Sequence, residues 1–406
     1  MAPINQTSEH PRRGLRRRPA EWLVGNLFGA ATRVSGLRLS MIPAHMRRQL
    51  EITGVQEPQL ERVLRDLRSL ADWPYAWEDE GDRRAAEGNW LLASVSYYVG
   101  QRLLLTDSPL KRRLYGLARA AYLRVDQPPL EHFCVAGHDG ATIAGYLQLP
   151  PSSGQSSTRT PLPTILMIPG VTGSKEELHA VAQPFLCRGF AVARIDNPQY
   201  GETTGLLEHA SVRNPARVLD ALAGDARLDR DNLHLLGMSM GGFFALHSAP
   251  DSAARSVITI AAPCAPDRYL HQLPGMNITA ISHMTGLQSM PQIRKFCERL
   301  SLHDVCPTID VPVKLFHGGR DRTVPISEVH RLADAISGPV SVTIWDRDHH
   351  TCLEHFDEIV AESLEWLEDP APAVRAWQLQ QAFDTPRPAT TPGFEQQGAA
   401  AEPGLA

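Results

Sequence analysis

One serine stands between glycines in Gly237-Met238-Ser239-Met240-Gly241, with a further glycine at 242. The residues leading to it, NLHLL, are mostly apolar, and FFALHSA after it is apolar again. This pattern predicts a strand, a sharp turn and a helix, with the hydroxyl at the tip of the turn. The flanking glycines let neighbouring elements approach without clashing. The helix start behind the turn offers free N–H groups to a developing negative charge. A serine presented this way is placed to attack a carbonyl carbon. Read instead as a serine in an ordinary tight turn, it leaves the costly elbow without a purpose.

A serine hydroxyl at neutral pH needs a base, and the base needs an acid to orient it. In a strand-and-helix alternation these should follow in the order Ser, acid, His, each past a later strand. VPVKLFHGGRDRTVP supplies Asp321 just beyond an apolar strand, where pairing with Arg320 or Arg322 is the competing role. VSVTIWDRDHHTCLEHF supplies His349 and His350 beyond the next strand and before the last helix, and placement alone leaves both open. A tetrahedral oxyanion needs backbone donors. The Met240 N–H, directly after the serine, is one candidate. The Val171 N–H is the other, in MIPGVTGSKEE, where Gly170 and Val171 open a tight turn after an earlier strand.

The elements that must position these groups read as follows. Residues 1–45 form an irregular basic leader; Glu21 and Asn26 interrupt its apolar run, so it is read as a leader of a cytoplasmic protein and not as an export signal. Residues 46–128 place apolar side chains at three-to-four spacing, and Ser108-Pro109 is an N-cap followed by a first-turn proline, so this region is a helical module. From 129 to 369 the pattern changes. A hairpin brackets His138-Asp139-Gly140, a polar loop covers 151–163, and then unbroken apolar strands alternate with amphipathic helices. Such strands mean an α/β fold with a mostly parallel sheet covered on both faces. The Pro-, Ala- and Gln-rich tail, 370–406, reads as disordered.

The bulk numbers exclude several classes. With 406 residues, 43% hydrophobic and 21% charged, the chain suits one large domain plus an accessory piece. A formal net charge of −5 gives no reason to expect nucleic acid or an anionic membrane as partner. Six scattered cysteines without a CxxC read as reduced thiols, not as a metal site or a disulfide framework. No apolar run approaches a membrane span.

At this point the chain resembles the α/β-hydrolases, in particular the branch with an all-helical N-terminal cap. That branch includes dihydropseudooxynicotine hydrolase, fermentation-respiration-switch esterase-like proteins and fungal pigment polyketide-shortening hydrolases. The resemblance is carried by HDGATIAGYLQLP, IPGVTGSKEE, IDNPQYGET, GMSMGG, HGGRDRTVP and DHHTC, and by the helical DEGDRRAAEGNWLLASVSYYVGQRLL. It spans most of residues 70–368. It implies a Ser-His-Asp hydrolase acting on an ester, or on a C–C bond beside a carbonyl, in a medium-sized and largely apolar molecule, polyketide- or aromatic-derived compounds included. A lyase, cyclase or acyl transferase on the same fold, or a binding protein, is the alternative.

The branch's His-x-Cys pattern matches His350-Thr351-Cys352 and selects His350 over His349. In relatives the loop after the second central strand often reads D-x-P-G-x-G-E, whereas here it is Asp196-Asn197-Pro198-Gln199-Tyr200-Gly201-Glu202, and its tyrosine, Tyr200, becomes a candidate for substrate contact. Asp267 is the candidate for an acidic residue that some members carry further on. The cap implies an enclosed pocket. Trp90 is a candidate lining residue, and Trp73, Tyr75, Trp77, Tyr97 and Tyr98 either line it as well or pack the cap's own core. The resemblance implies a small-molecule substrate, no metal or cofactor, and a homodimer as a possible assembly.

Overall fold

The computed structural model describes residues 44–67, 69–151 and 161–384. Nearly all of the expected leader, most of the polar loop and the end of the tail lie outside them. Among the described residues the chain forms one sheet of eight strands. These are β1 (Leu130–Ala136), β2 (Thr142–Gln148), β3 (Leu162–Ile168), β4 (Ala191–Ile195), β5 (Leu228–Met238), β6 (Ala254–Ile260), β7 (Val313–Gly318) and β8 (Val340–Trp345). Their spatial order is β1-β2-β4-β3-β5-β6-β7-β8. β1 and β2 are antiparallel, β2 runs antiparallel to β4, and every pairing from β4 to β8 is parallel.

Side-chain alternation along a strand explains why the central strands are apolar on both sides. In β3, Leu166 and Ile168 face one layer with α7 (Asn214–Ala223), α8 (Met240–Ser248) and α11 (Ser327–Ala335). Ile165 and Met167 face the other, with α6 (His179–Cys187) and α12 (Phe356–Glu368). Because the strands are parallel, the loops after β3, β4, β5, β6, β7 and β8 all emerge at one edge. The chain leaves β3 toward β4 on one side and returns to β5 on the other, and a crevice opens at such a reversal.

The N-terminal helices are α1 (Ala44–Ile52), α2 (Glu57–Asp66), α3 (Trp73–Ala86), α4 (Trp90–Gln101) and α5 (Pro109–Tyr122). Side chains start two of them: Asn89 Oδ1 accepts from the Leu92 amide and Ser108 Oγ from the Lys111 amide. Leu60, Leu64, Trp77 and Val99 form one apolar cluster of this module, and Ala93, Tyr98, Leu114 and Ala118 another. No described helix is long and apolar enough to cross a membrane.

Two stretches depart from the sequence reading. The stretch after β6, to which no element was assigned, contains α9 (Gly275–Thr285) and α10 (Met290–Glu298). Leu270, Ile281, Ile293 and Cys297 pack there against Met240. The tail expected to be disordered from residue 370 is instead helical over α13 (Ala371–Asp384). Asp369 Oδ1 caps it by accepting from the Ala371 amide, and Val374 and Trp377 pack on the sheet's apolar layers. Proline and alanine read as low complexity, yet prolines belong in a first helical turn, and buried apolar anchors do the rest.

His234 and His247 are buried and His179 is half-buried, each with an arginine near enough to oppose protonation further. Burial pushes His247 and His179 down to about 4 and His234 down to about 3. His247, on α8, donates Nε2–H to the Leu300 carbonyl at 2.9 Å with its ring 4.5 Å from Phe243. Since the unfolded imidazole binds protons at a higher pH than the folded one, this stability is full above about pH 6.5 and is lost as pH falls toward about 4. For His247 the loss is on the order of 3 kcal/mol. Thermal unfolding between pH 6.5 and 5 should show a steeper decline for the wild type than for His247→Gln, whose amide keeps the donor without titrating.

Candidate active site

β5 runs into α8 through Ser239, whose backbone sits at φ 53 and ψ −118. A non-glycine residue rarely holds such a conformation. It is fixed from both sides: the Ser239 amide donates to the Ile260 carbonyl at 2.7 Å, and its own carbonyl accepts from Gly242 and Phe243. The glycines are forced by backbone contact. A Cβ on Gly237 would lie 2.3 Å from the Gly241 carbonyl oxygen, and one on Gly241 would lie 2.2 Å from that of Ile168. The serine is 8% exposed, at the sheet edge where the parallel loops converge.

Ser239 Oγ lies 2.9 Å from His350 Nε2, and His350 Nδ1 lies 2.6 Å from Asp321 Oδ2. Asp321 follows β7 in a turn that aims both its oxygens. Oδ1 accepts from the Thr323 and Val324 amides at 2.7 and 2.9 Å, which leaves Oδ2 for the imidazole. A carboxylate facing Nδ1 makes that nitrogen the donor, so Nε2 is the acceptor for the serine hydroxyl. His350 is presented by an unusual turn after β8, with Thr351 at φ 68 and Cys352 at φ 53. Cys352 is wholly buried against Phe316 and Ile359 and anchors that turn. His349 takes a backbone role: its carbonyl accepts from the Cys352 amide at 3.2 Å and crowds Gly318. The structure therefore brings His350, and not His349, to the serine.

The loop after β3 closes over the same point. A Cβ built on Gly170 would sit 3.8 Å from Ser239 Cβ, so this loop passes next to the hydroxyl. Asn197, after β4, holds the loop by donating Nδ2–H to the Gly170 carbonyl at 2.7 Å and to that of Pro169 at 3.1 Å. Among the described residues outside regular elements the Val171 amide makes no backbone hydrogen bond, and Met240, the first residue of α8, has no preceding helical turn to donate into.

A second layer of polar contacts, not legible beforehand, ties this loop to the helical module. Lys175 is fully buried; its Nζ lies 2.6 Å from Asp196 Oδ2, 2.9 Å from Glu202 Oε2, 3.3 Å from Glu176 Oε1 and 3.1 Å from Tyr115 Oη on α5. Burial opposes its charge, but the carboxylates of Asp196 and Glu176 outweigh that and hold the ammonium above its ordinary value. Beside it, Glu177 accepts from Tyr98 at 2.6 Å and from Arg102 at 3.1 Å, and Arg119 pairs with Glu202 at 3.0 Å. On α1, Arg48 donates to the Leu353 carbonyl at 3.3 Å, just past the His350 turn. The helical module thus grips the loops that carry the site. Gly201 is required here: at φ +57, its Cβ would fall 2.2 Å from the Asp196 carboxylate.

The remaining candidates disperse. Tyr200 is buried between α9 and α5, its ring 5.5 Å from His283 and 4.7 Å from Lys111 Nζ. Asp267 follows β6, its carbonyl 3.4 Å from Arg294 and its Oδ1 buried without a partner among the described residues. Trp90, expected against substrate, is engaged within the cap: Arg124 covers its ring at 3.4 Å, and it packs on the cluster of Tyr98 and Leu114. Among the described residues, His138, Asp139 and Glu208 bring ligand atoms within 4.8 Å of one another at the turn between β1 and β2, in an exposed position.

Comparison with known proteins agrees with this architecture. Residues 163–281 match the family described as alpha/beta hydrolase fold. The chain is similar to 2,6-dihydropseudooxynicotine hydrolase of Paenarthrobacter nicotinovorans, 24% identical over 328 residues, covering 75% of this chain and 86% of that protein. It is also similar to the mitochondrial palmitoyl-protein thioesterase ABHD10 of Rattus norvegicus, 26% identical over 257 residues, covering 57% of this chain and 84% of that one. The crystal structure of 2,6-dihydroxy-pseudo-oxynicotine hydrolase superposes with a TM-score of 0.67 at 22% identity, over 80% of this chain and 95% of that one. The chain therefore carries an alpha/beta hydrolase domain within the alpha/beta hydrolase fold, and hydrolases are among its homologues.

Proposed function

We propose that this protein is a serine hydrolase that cleaves an ester, or a C–C bond beside a carbonyl, in a medium-sized and largely apolar molecule. The observation that carries the reading is the unbroken hydrogen-bonded series from Ser239 through His350 to Asp321, starting at a strained elbow. Ser239 Oγ attacks the carbonyl carbon while His350 Nε2 takes its proton, and Asp321 steadies the imidazolium that forms. The Met240 and Val171 amides receive the oxyanion. His350 then returns the proton to the leaving group, an alkoxide or an enolate carbon, and water repeats the cycle on the acyl-enzyme. Asp267 and Tyr200 are the residues this reading assigns to substrate contact.

A fluorophosphonate probe reacts only with an activated serine and tests the reading directly. The wild type should be labelled at one residue within minutes, and folded Ser239→Ala should remain unlabelled. A folded wild type that resists the probe overturns it.

A further inference from the structure

Lys111 occupies a position that both its place on the helix and its burial disfavour. It is the third residue of α5, so its ammonium sits at the positive end of the helix dipole. It is half-buried, where a charge normally has a partner. Its Nζ makes no ion pair or hydrogen bond with the described residues; the neighbouring Asp107 carboxylate pairs with Arg112 and favours the ammonium only from a distance. What it does face is the Tyr200 ring, 4.7 Å away, with the His283 ring against the same tyrosine. Tyr200 is 6% exposed, and its hydroxyl is buried with no partner among the described residues. A tyrosine whose buried hydroxyl has no partner among the described residues, and whose ring carries a half-buried ammonium, suits an acceptor that carries negative charge.

Tyr200 also belongs to the reaction side of the fold. Its amide donates to the carbonyl of Asn197, the residue that clamps Gly170 beside Ser239. Its ring lies in the apolar layer against which Val171 and Met240 pack. The segment after it is tied to α9 through the Leu207 amide and the Met284 carbonyl, at 2.7 Å.

We propose that Lys111 and Tyr200 bind an anionic oxygen of the substrate, a carboxylate or an ionised phenol or enol, at the junction of α5 with the loop after β4. The substrate is then amphiphilic: an apolar body with the scissile carbonyl at Ser239 and an acidic group held under the cap. This specifies the substrate of the hydrolase reading and rests on it for the orientation, but the site can be tested without turnover.

The test is calorimetric titration of the full-length Ser239→Ala protein with 4-phenylbutyrate and with the neutral 4-phenyl-1-butanol. The acid should bind at least about tenfold more tightly, the ratio expected of one charge-assisted contact. Lys111→Met should erase that ratio, Lys111→Arg should keep it, and Tyr200→Phe should reduce it. Equal binding of the two compounds, failure of the acid to bind, or a preference that survives Lys111→Met would each overturn the proposal. Failure of the hydrolase reading would show separately, as absent fluorophosphonate labelling.

Discussion

Ser239→Ala should lower kcat/KM by about 10⁶-fold and Asp321→Asn by about 10⁴-fold, with the double variant no worse than the serine variant alone. The asparagine effect follows from how the turn aims the carboxylate. The Thr323 and Val324 amides hold Oδ1, so the asparagine oxygen takes that place and its NH2 faces His350 Nδ1. Two donors cannot share a hydrogen bond, so the imidazole adopts the tautomer that carries its proton on Nε2 and loses its capacity to accept from Ser239. The fold is preserved, because the two backbone contacts remain. Steady-state kinetics on any ester the enzyme accepts, with circular dichroism as a control, decides the matter. An Asp321→Asn enzyme within tenfold of wild type would show that His350 is oriented by something else.

Lys175→Met should cost about 3–5 kcal/mol of stability, since it leaves buried carboxylates without their cation. Asp196 and Lys175 side chains have no exposure at all, and Glu176 has 4%. Asp196 in turn accepts from the Lys175 and Glu202 amides at 2.8 and 2.9 Å, so the loops after β3 and β4 are stitched through one carboxylate. The loss should appear in denaturant unfolding and should be accompanied by a fall in kcat as the Val171 amide loses its fixed position. Adding Asp196→Asn should recover part of the stability, because neutralising the partner removes the stranded charge. A Lys175→Met protein as stable as wild type would mean that water reaches the cluster.

The elbow at Ser239 was legible in the residues because short-range sterics encode it: glycine at 237 and 241 answers to backbone a few residues away or on the adjoining strand. The alternation of apolar strands and amphipathic helices was legible for the same reason, since burial on both faces leaves a periodic record. The stretch holding α9 and α10 was harder to read, for most of its apolar residues form a local cluster with Met240, and only a few, such as Met284 and Phe296, reach the sheet's apolar layer. The disorder expected after residue 370 failed because composition says nothing of Val374 and Trp377 finding a surface.

What the residue order determined by itself was the fold class and the set of groups available for chemistry at the ends of the strands. Residue order left both adjacent histidines open and only the family resemblance favoured His350; the tertiary structure brings that one to the serine, across 111 residues of chain, and buries a lysine from a glycine-bearing loop among three carboxylates from two loops. Contacts of that range depend on how loops from separate strands stack at one sheet edge and on where the cap docks, and no local preference of the backbone specifies either.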